Sequence, residues 1–369
     1  PQPLEVLVQE PLIVARRGAL AEFTLNRPQA LNALNDEMRR TLVEALPELP
    51  RDPDVYAVVL RSASERAFCA GGDVRELVAL ARGDRAAACA SLAFEYRMNW
   101  TLECFSKPTV SLIDGMTMGS GVGLVLYNTH RVAGPGFSFA MPETAIGLFP
   151  DVGASSLLAG LPGAMGRYLG LTGRRIGRAT AYRLGLVTHC IGPEHFAGIT
   201  AGLEDAQPVD QLLDPLHVGP DPAEDDLLPR AGLIEDCFGR TTVSEILQAV
   251  EARSGQGGDA GAWCREVADD LKTRAPLSLL VTLRHLDECR TRDLRETLIG
   301  DYRLAVRFLA RPDFAEGVRA VLIDKDHKPA WQHASVSDVP ASAVDEMFAP
   351  LTEGELELPT RDQMQAMRT

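Results

Sequence analysis

Lysine is scarce in this chain of 369 residues: it occurs at positions 107, 272, 325 and 328 alone, and arginine supplies nearly all of the positive charge. Basic residues number 37 against 51 acidic ones, so the formal net charge is −14 and the pI is about 5.0. Nucleic acids and anionic membranes reward basic faces, and neither is expected as a partner. An anionic ligand needs a local basic pocket here. The seven cysteines form no CxxC pair and no Cys/His cluster at zinc spacing, which excludes a structural zinc site of the usual kinds. They read as reduced thiols of a cytosolic protein. No apolar run approaches the ~18–20 residues of a membrane-spanning helix. The start of the chain lacks the basic-then-apolar order of a signal peptide and the Arg/Ser-rich character of a transit sequence. A cytoplasmic location is therefore expected, although a mature organellar protein has the same composition.

Several motifs are missing too. Gly119, Gly121 and Gly123 do not make a dinucleotide fingerprint, because Leu124 stands where the third glycine is needed. Ser120 is not a hydrolase elbow, since Met118 and Val122 occupy the glycine positions of G-x-S-x-G. No phosphate-loop motif occurs. The histidines are scattered, have no Ser or Cys partner in a recognisable motif, and read as satisfied polar residues.

The residues that are present, 46% of them hydrophobic, suffice for one large domain or a domain with a smaller second one. Strand-like runs at 21–26, 55–61, 109–114, 130–133 and 137–140 alternate with helical spacing at 35–46, from 74, and at 122–128. This is α/β organisation. Two consecutive strands at 130–140 argue against a doubly wound sheet and for a ββα repeat. The first unit is taken as residues 1–204. Residues 205–230, with the acidic run 221–226, are expected to be an exposed connector. Residues 231–369 are expected to form a helical C-terminal region, with helical spacing at 243–252, 262–273, 278–290 and 294–309. A strand is expected at 320–323, and a polar tail follows from about 335.

Residues 141–153 place two acids, Glu143 and Asp151, on an otherwise uncharged apolar segment. Carboxylates in a poorly solvated cleft have raised pKa values and can exchange protons near neutrality, so the pair is a candidate acid, base or nucleophile set. The plainer alternative is turn capping, because Pro142 and Pro150 precede the acids and Gly147 and Gly153 supply bends. Two glycine turns lie upstream. Gly71 and Gly72 precede a helix with Asp73 as its N-cap, and the glycine-rich stretch 115–123 precedes another. The free N–H groups at two helix starts can converge on one oxygen, which makes an oxyanion hole without any charged side chain.

These residues and their order resemble the crotonase superfamily, the enoyl-CoA hydratase/isomerase fold. The resemblance rests on Asn26-Arg-Pro-Gln-Ala-Leu-Asn-Ala-Leu-Asn35, Phe68-Cys-Ala-Gly-Gly-Asp73 and Met118-Gly-Ser-Gly121, and covers about residues 12–333. It implies a crotonase-like ββα spiral core with a helical C-terminal region that closes the active site, and an acyl-CoA substrate. The thioester oxygen would be held by the backbone N–H groups of Gly72 and Ser120, where the family usually has glycine at the second position. Hydratases of this family use two glutamates. The position of the first is Gly123 here and that of the second is Glu143, so water addition to a double bond is disfavoured. Asp151 and the segment 313–326 are similar to the branch that hydrolyses 3-hydroxyisobutyryl-CoA.

The resemblance therefore implies a thioester hydrolase of short branched β-hydroxyacyl-CoA, 3-hydroxyisobutyryl-CoA first and 3-hydroxypropionyl-CoA second, acting in valine breakdown. Glu143 and Asp151 would be catalytic, with Glu143 attacking the carbonyl or activating water. Glu95, otherwise a surface glutamate, would border the acyl pocket. No metal and no separate cofactor are expected, coenzyme A being part of the substrate. Related folds are often trimers or hexamers, so a homo-oligomer is among the expected partners. The alternatives are an enoyl-CoA hydratase or isomerase, and a non-catalytic acyl-CoA-binding protein. Lys107 reads as a charged strand entry, and Cys69 as a small packed residue.

Overall fold

The structure of the protein is a computed structural model describing residues 10–225 and 227–367. Residue 226 of the acidic run, residues 1–9 of the first unit and residues 368–369 of the tail lie outside the described residues. The short apolar runs pair into two sheets. β1 (Leu12–Arg17) is antiparallel to β2 (Leu20–Leu25), and β2 continues in parallel to β3 (Ala57–Ser62), β5 (Thr109–Ile113), β7 (His130–Ala133) and β10 (His189–Cys190). The inner strands are buried along nearly their whole length, as suits a parallel sheet covered on both faces. A smaller sheet runs in the order β4 (Ala67–Cys69), β6 (Met116–Met118), β8 (Ser138–Ala140) and β9 (Ile176–Gly177), parallel except at β9.

Each repeat gives one strand to the large sheet, one short strand to the small sheet, and then a helix or turn. The three units end in α2 (Val74–Gly83), α4 (Ser120–Val125) and the 3₁₀ turn Glu143–Ile146. This is the expected ββα spiral, and its geometry has a direct consequence. The carboxyl ends of β4, β6 and β8 lie side by side, so the residues that follow them, the glycine turn at 71–72, Ser120 and Glu143, are delivered to one place. α1 (Asp36–Ala45) and α3 (Arg85–Glu103) pack on this core. Asn35 caps α1 by accepting from the Met38 N–H at 3.0 Å.

The C-terminal region is helical as expected, with its main helices at Ala231–Phe238, Val243–Ser254, Gly258–Thr273, Pro276–Cys289, Leu294–Leu309 and Pro312–Val318. Its apolar side chains join the same core as those of the sheets. The strand expected at 320–323 is instead a turn of π-helix, Arg319–Ile323. A short apolar run has no period of its own. Here it continues the preceding helix, and Arg319 reaches back to Glu316 at 2.8 Å and forward to Asp324 and Asp326, pairings that suit a coil rather than a strand. Residues 205–230 are also more than an exposed connector. Val209 and Leu213 sit one turn apart on the short helix Val209–Leu213 and are buried with Leu20, Val59, Val110 and Val132. The tail is tied down, its Leu356 and Leu358 being buried and the Pro359 carbonyl accepting from Trp100 Nε1 at 2.8 Å. Among the described residues no helix is long and apolar enough to cross a membrane.

Candidate active site

The two glycine turns meet. Gly71 has φ +115°, and Asp73 caps α2 by accepting from the Glu76 N–H at 3.2 Å. A Cβ added at Gly72 would lie 2.9 Å from Ser120 Oγ and 2.7 Å from Arg39 Nη2. The starts of α2 and α4 are thereby brought within a side chain's width of each other. Gly119, at φ +46°, forms the step before α4, and a Cβ there would lie 2.8 Å from Glu143 Oε1. Only glycine admits the Glu143 carboxylate against this turn.

Glu143 is 5% exposed, and its Oε2 has no hydrogen-bond partner. Burial, with the negative charges of Asp151 and Glu95, holds its pKa well above the usual carboxylate range. Asp151 is 8% exposed and accepts from the Tyr96 hydroxyl at 2.7 Å. Its pKa is also pushed up, by burial first and then by Glu95 and Asp301. The Tyr96 phenol is raised by burial and by Asp151, so it keeps its proton and remains a donor. Glu95 lies on α3 and is buried, not on the surface. Its Oε2 accepts from Arg39 Nε at 2.8 Å, both side chains being almost fully enclosed, while Oε1 is unpartnered. Three acids and one guanidinium therefore share a poorly solvated cluster beside the glycine turns.

Asp151 stands in a turn held from several sides. Val152 has φ +54° and Gly153 φ +75°. Tyr127 donates its hydroxyl hydrogen bond to the Val152 carbonyl, and the Gly153 N–H donates to Asp301 Oδ2 at 2.7 Å. Asp301 Oδ1 pairs with His285 Nε2 at 2.6 Å, with both side chains wholly buried. Gly123 packs against this same turn. A Cβ there would lie 2.8 Å from Val152 Cβ and 2.9 Å from Asn99 Nδ2. The space a side chain at position 123 would need is taken by Val152 and Asn99.

The structure brings Gly72, Ser120, Glu143, Asp151 and Glu95 into one cluster. Lys107 lies apart and donates to the Leu49 carbonyl at 2.9 Å, as a strand entry should. Cys69 is buried, and burial pushes its thiol up to about 12, so it packs and does not react. Among the described residues no group of three or more His, Cys, Asp or Glu is arranged to hold a metal. Arg39, Tyr96, Tyr127, His285 and Asp301 were not expected from the sequence. Arg39 and Asp301 did carry a signal, since each occupies an inward position of an amphipathic helix: Arg39 three residues before Leu42, and Asp301 three after Leu298.

Residues 20–348 match the family model described as enoyl-CoA hydratase/isomerase. The chain is 35% identical over 99% of its length to 3-hydroxyisobutyryl-CoA hydrolase 1 of Arabidopsis thaliana, covering 98% of that protein. It is 36% identical to the mitochondrial 3-hydroxyisobutyryl-CoA hydrolase of Rattus norvegicus, covering 92% of this chain and 89% of the other. Among solved structures it is similar to an enoyl-CoA hydratase from Rhodobacter sphaeroides 2.4.1, with TM-score 0.87, 36% identity, and coverage of 95% and 100%. A carnitinyl-CoA dehydratase from Mycobacterium thermoresistibile gives TM-score 0.87 at 34% identity, covering 94% of this chain and 98% of that one.

Proposed function

The chain belongs to the enoyl-CoA hydratase/isomerase family, and on that premise we propose that it hydrolyses the thioester of 3-hydroxyisobutyryl-CoA, with 3-hydroxypropionyl-CoA as a second substrate. The relatives named as hydrolases support the reaction, and the solved structures named as a hydratase and a dehydratase point to other chemistry on the same fold. The observation that carries the choice is the packing at Gly123. A two-glutamate hydratase needs a carboxylate from that position, and Val152 and Asn99 occupy the space.

In this reading the N–H groups of Gly72 and Ser120 bind the carbonyl oxygen and stabilise the negative charge that develops on it, each by about 3–4 kcal/mol. Using a backbone donor at Ser120 leaves its side chain free to narrow the pocket. Glu143 in its ionised form either attacks the carbonyl carbon, expelling the CoA thiolate and leaving a mixed anhydride for water to open, or takes the proton of the water that attacks. Asp151, its pKa raised by burial and by Glu95 and Asp301 and its carboxyl oriented by Tyr96, holds the substrate's 3-hydroxyl or, in its protonated form, gives its proton to the departing thiolate. Glu95, fixed by Arg39, borders the acyl group. No cofactor or metal enters this scheme. A cytoplasmic setting is part of the proposal; the seven free cysteines fit any reducing compartment.

The test is release of free thiol from a panel of short β-hydroxyacyl-CoAs, run beside the loss of enone absorbance from crotonyl-CoA. Thiol release that is fastest with 3-hydroxyisobutyryl-CoA is expected. Enone loss without thiol would replace the proposal with a hydratase, and binding without either would replace it with a non-catalytic acyl-CoA-binding protein.

A further inference from the structure

Asp301 lies on the helix Leu294–Leu309, remote in sequence from every candidate catalytic residue, and is fully buried. A carboxylate in such a place is costly unless each oxygen is satisfied. One oxygen faces His285 Nε2 at 2.6 Å, from the neighbouring helix Pro276–Cys289, and the other accepts the Gly153 N–H at 2.7 Å. The ring of His285 is fixed in turn by the edge-on face of Phe149, 5.5 Å between centroids, and by Cys289 Sγ 3.7 Å from Nε2. Burial opposes a charge on His285, but the hydrogen bond and charge of Asp301 outweigh it and raise its pKa to about 10.

Stability alone does not explain the pair, because an apolar pair of similar volume often serves a core equally well. Its location offers a better reason. Val152 has φ +54°, a conformation a β-branched residue keeps only where its surroundings impose it, and Gly153 follows it at φ +75°. The Asp301 acceptor fixes the end of this turn, the Tyr127 hydroxyl its middle, and the Tyr96 hydroxyl its carboxylate.

We propose that His285 and Asp301 are positioning residues for the hydrolase reaction: the ion pair presents a rigid acceptor to the Gly153 N–H and so aims the Asp151 carboxyl at the acyl group. The helical C-terminal region thereby takes part in aligning the reacting groups as well as covering them. This inference rests on the proposed role of Asp151, and its test separates the two.

Three variants are compared with the wild type by kcat, KM and amide hydrogen exchange of residues 150–154. The double variant Asp301→Leu/His285→Leu removes both charges together and leaves no unpaired ion in the core. Asp301→Asn keeps an oxygen able to accept the Gly153 N–H, and Asp151→Asn reports on the aimed group itself. The expected order of kcat is wild type, then Asp301→Asn, then the double variant. The double variant should fall on the order of 10- to 100-fold with KM changed by no more than about threefold, as misplacement by about 1 Å can produce. Exchange at Gly153 should speed up in the same order. Wild-type kcat in Asp301→Asn and the double variant overturns the inference, as does a fall in KM and kcat without faster exchange. If the double variant does not fold, Asp301→Asn alone decides by its kcat and exchange. Wild-type kcat in Asp151→Asn beside an impaired Asp301 variant overturns both the aiming role and the assignment of Asp151.

Discussion

Gly123 and Val152 touch so closely that a Cβ on the first would lie 2.8 Å from the Cβ of the second. Val152 cannot simply retreat, because it follows Asp151 at φ +54° and its carbonyl is held by Tyr127. Gly123→Ala should therefore cost about 1–3 kcal/mol of stability, the usual effect of overpacking, and should lower kcat by displacing Asp151. Gly123→Glu should not create hydratase activity. Urea unfolding measures the first outcome and enone absorbance with crotonyl-CoA the second; appreciable hydration by Gly123→Glu would refute the steric argument.

The buried acids also set the pH dependence. Glu143 must be ionised to act as nucleophile or base, and its pKa lies above 4.5 because of burial, Asp151 and Glu95. The value of kcat/KM should rise with pH through an inflection above the ordinary glutamate range. Glu95→Gln removes a negative charge and leaves the Arg39 cation unpaired, and both changes favour an ionised Glu143. The inflection should move to lower pH in that variant. Glu143→Gln should lose thiol release by about 10²- to 10⁴-fold at every pH, the range found for a removed general base.

The fold was legible where period and punctuation agree. Alternating apolar runs gave β2, β3, β5 and β7, and Asn35 and Asp73 marked helix starts whose caps are present. The resemblance at Phe68–Asp73 and Met118–Gly121 brought Gly72, Ser120 and Glu143 into one reading, and parallel pairing of β4, β6 and β8 is what joins them in space. The strand expected at 320–323 failed because four apolar residues carry no period, and only Arg319 with its acidic partners reveals the coil. His285 and Asp301 could not be paired from sequence, since two charged residues 16 apart on different helices meet only through tertiary packing. An acid or base on the inward stripe of a helix was the available sign, and it marks Arg39 and Asp301 alike.

The His285–Asp301 pair should leave its own mark on stability. His285 has a folded-state pKa of about 10 against 6.5 when exposed, so the folded state binds the proton more tightly than the unfolded one. Stability from this group is fully present below pH 6.5 and is lost as pH rises through about 10. Wild-type unfolding free energy should therefore fall across that window. The double variant Asp301→Leu/His285→Leu should fall less, so that the gap between the two proteins changes with pH. Urea unfolding at pH 6.5 and at pH 10 checks this, and parallel curves for the two proteins would show that His285 carries no extra proton in the fold.

The two routes through Glu143 differ in what becomes attached to it. Its Oε2 is buried and has no hydrogen-bond partner, which leaves a lone pair free and poorly solvated, the condition under which a carboxylate is a good nucleophile. The turns that carry Gly72 and Ser120 lie beside the same carboxylate, so if their N–H groups are the oxyanion donors proposed above, a tetrahedral adduct formed by attack of Glu143 has its charge stabilised there. The expected intermediate is the mixed anhydride. Hydroxylamine added during turnover should convert it to a hydroxamate on the peptide that carries Glu143. A single turnover in ¹⁸O-water should place label in the Glu143 carboxylate if water opens the anhydride at the enzyme carbonyl. Label confined to the released acid, with no hydroxamate, assigns Glu143 as the base that activates water, because in that route no bond to the enzyme ever forms.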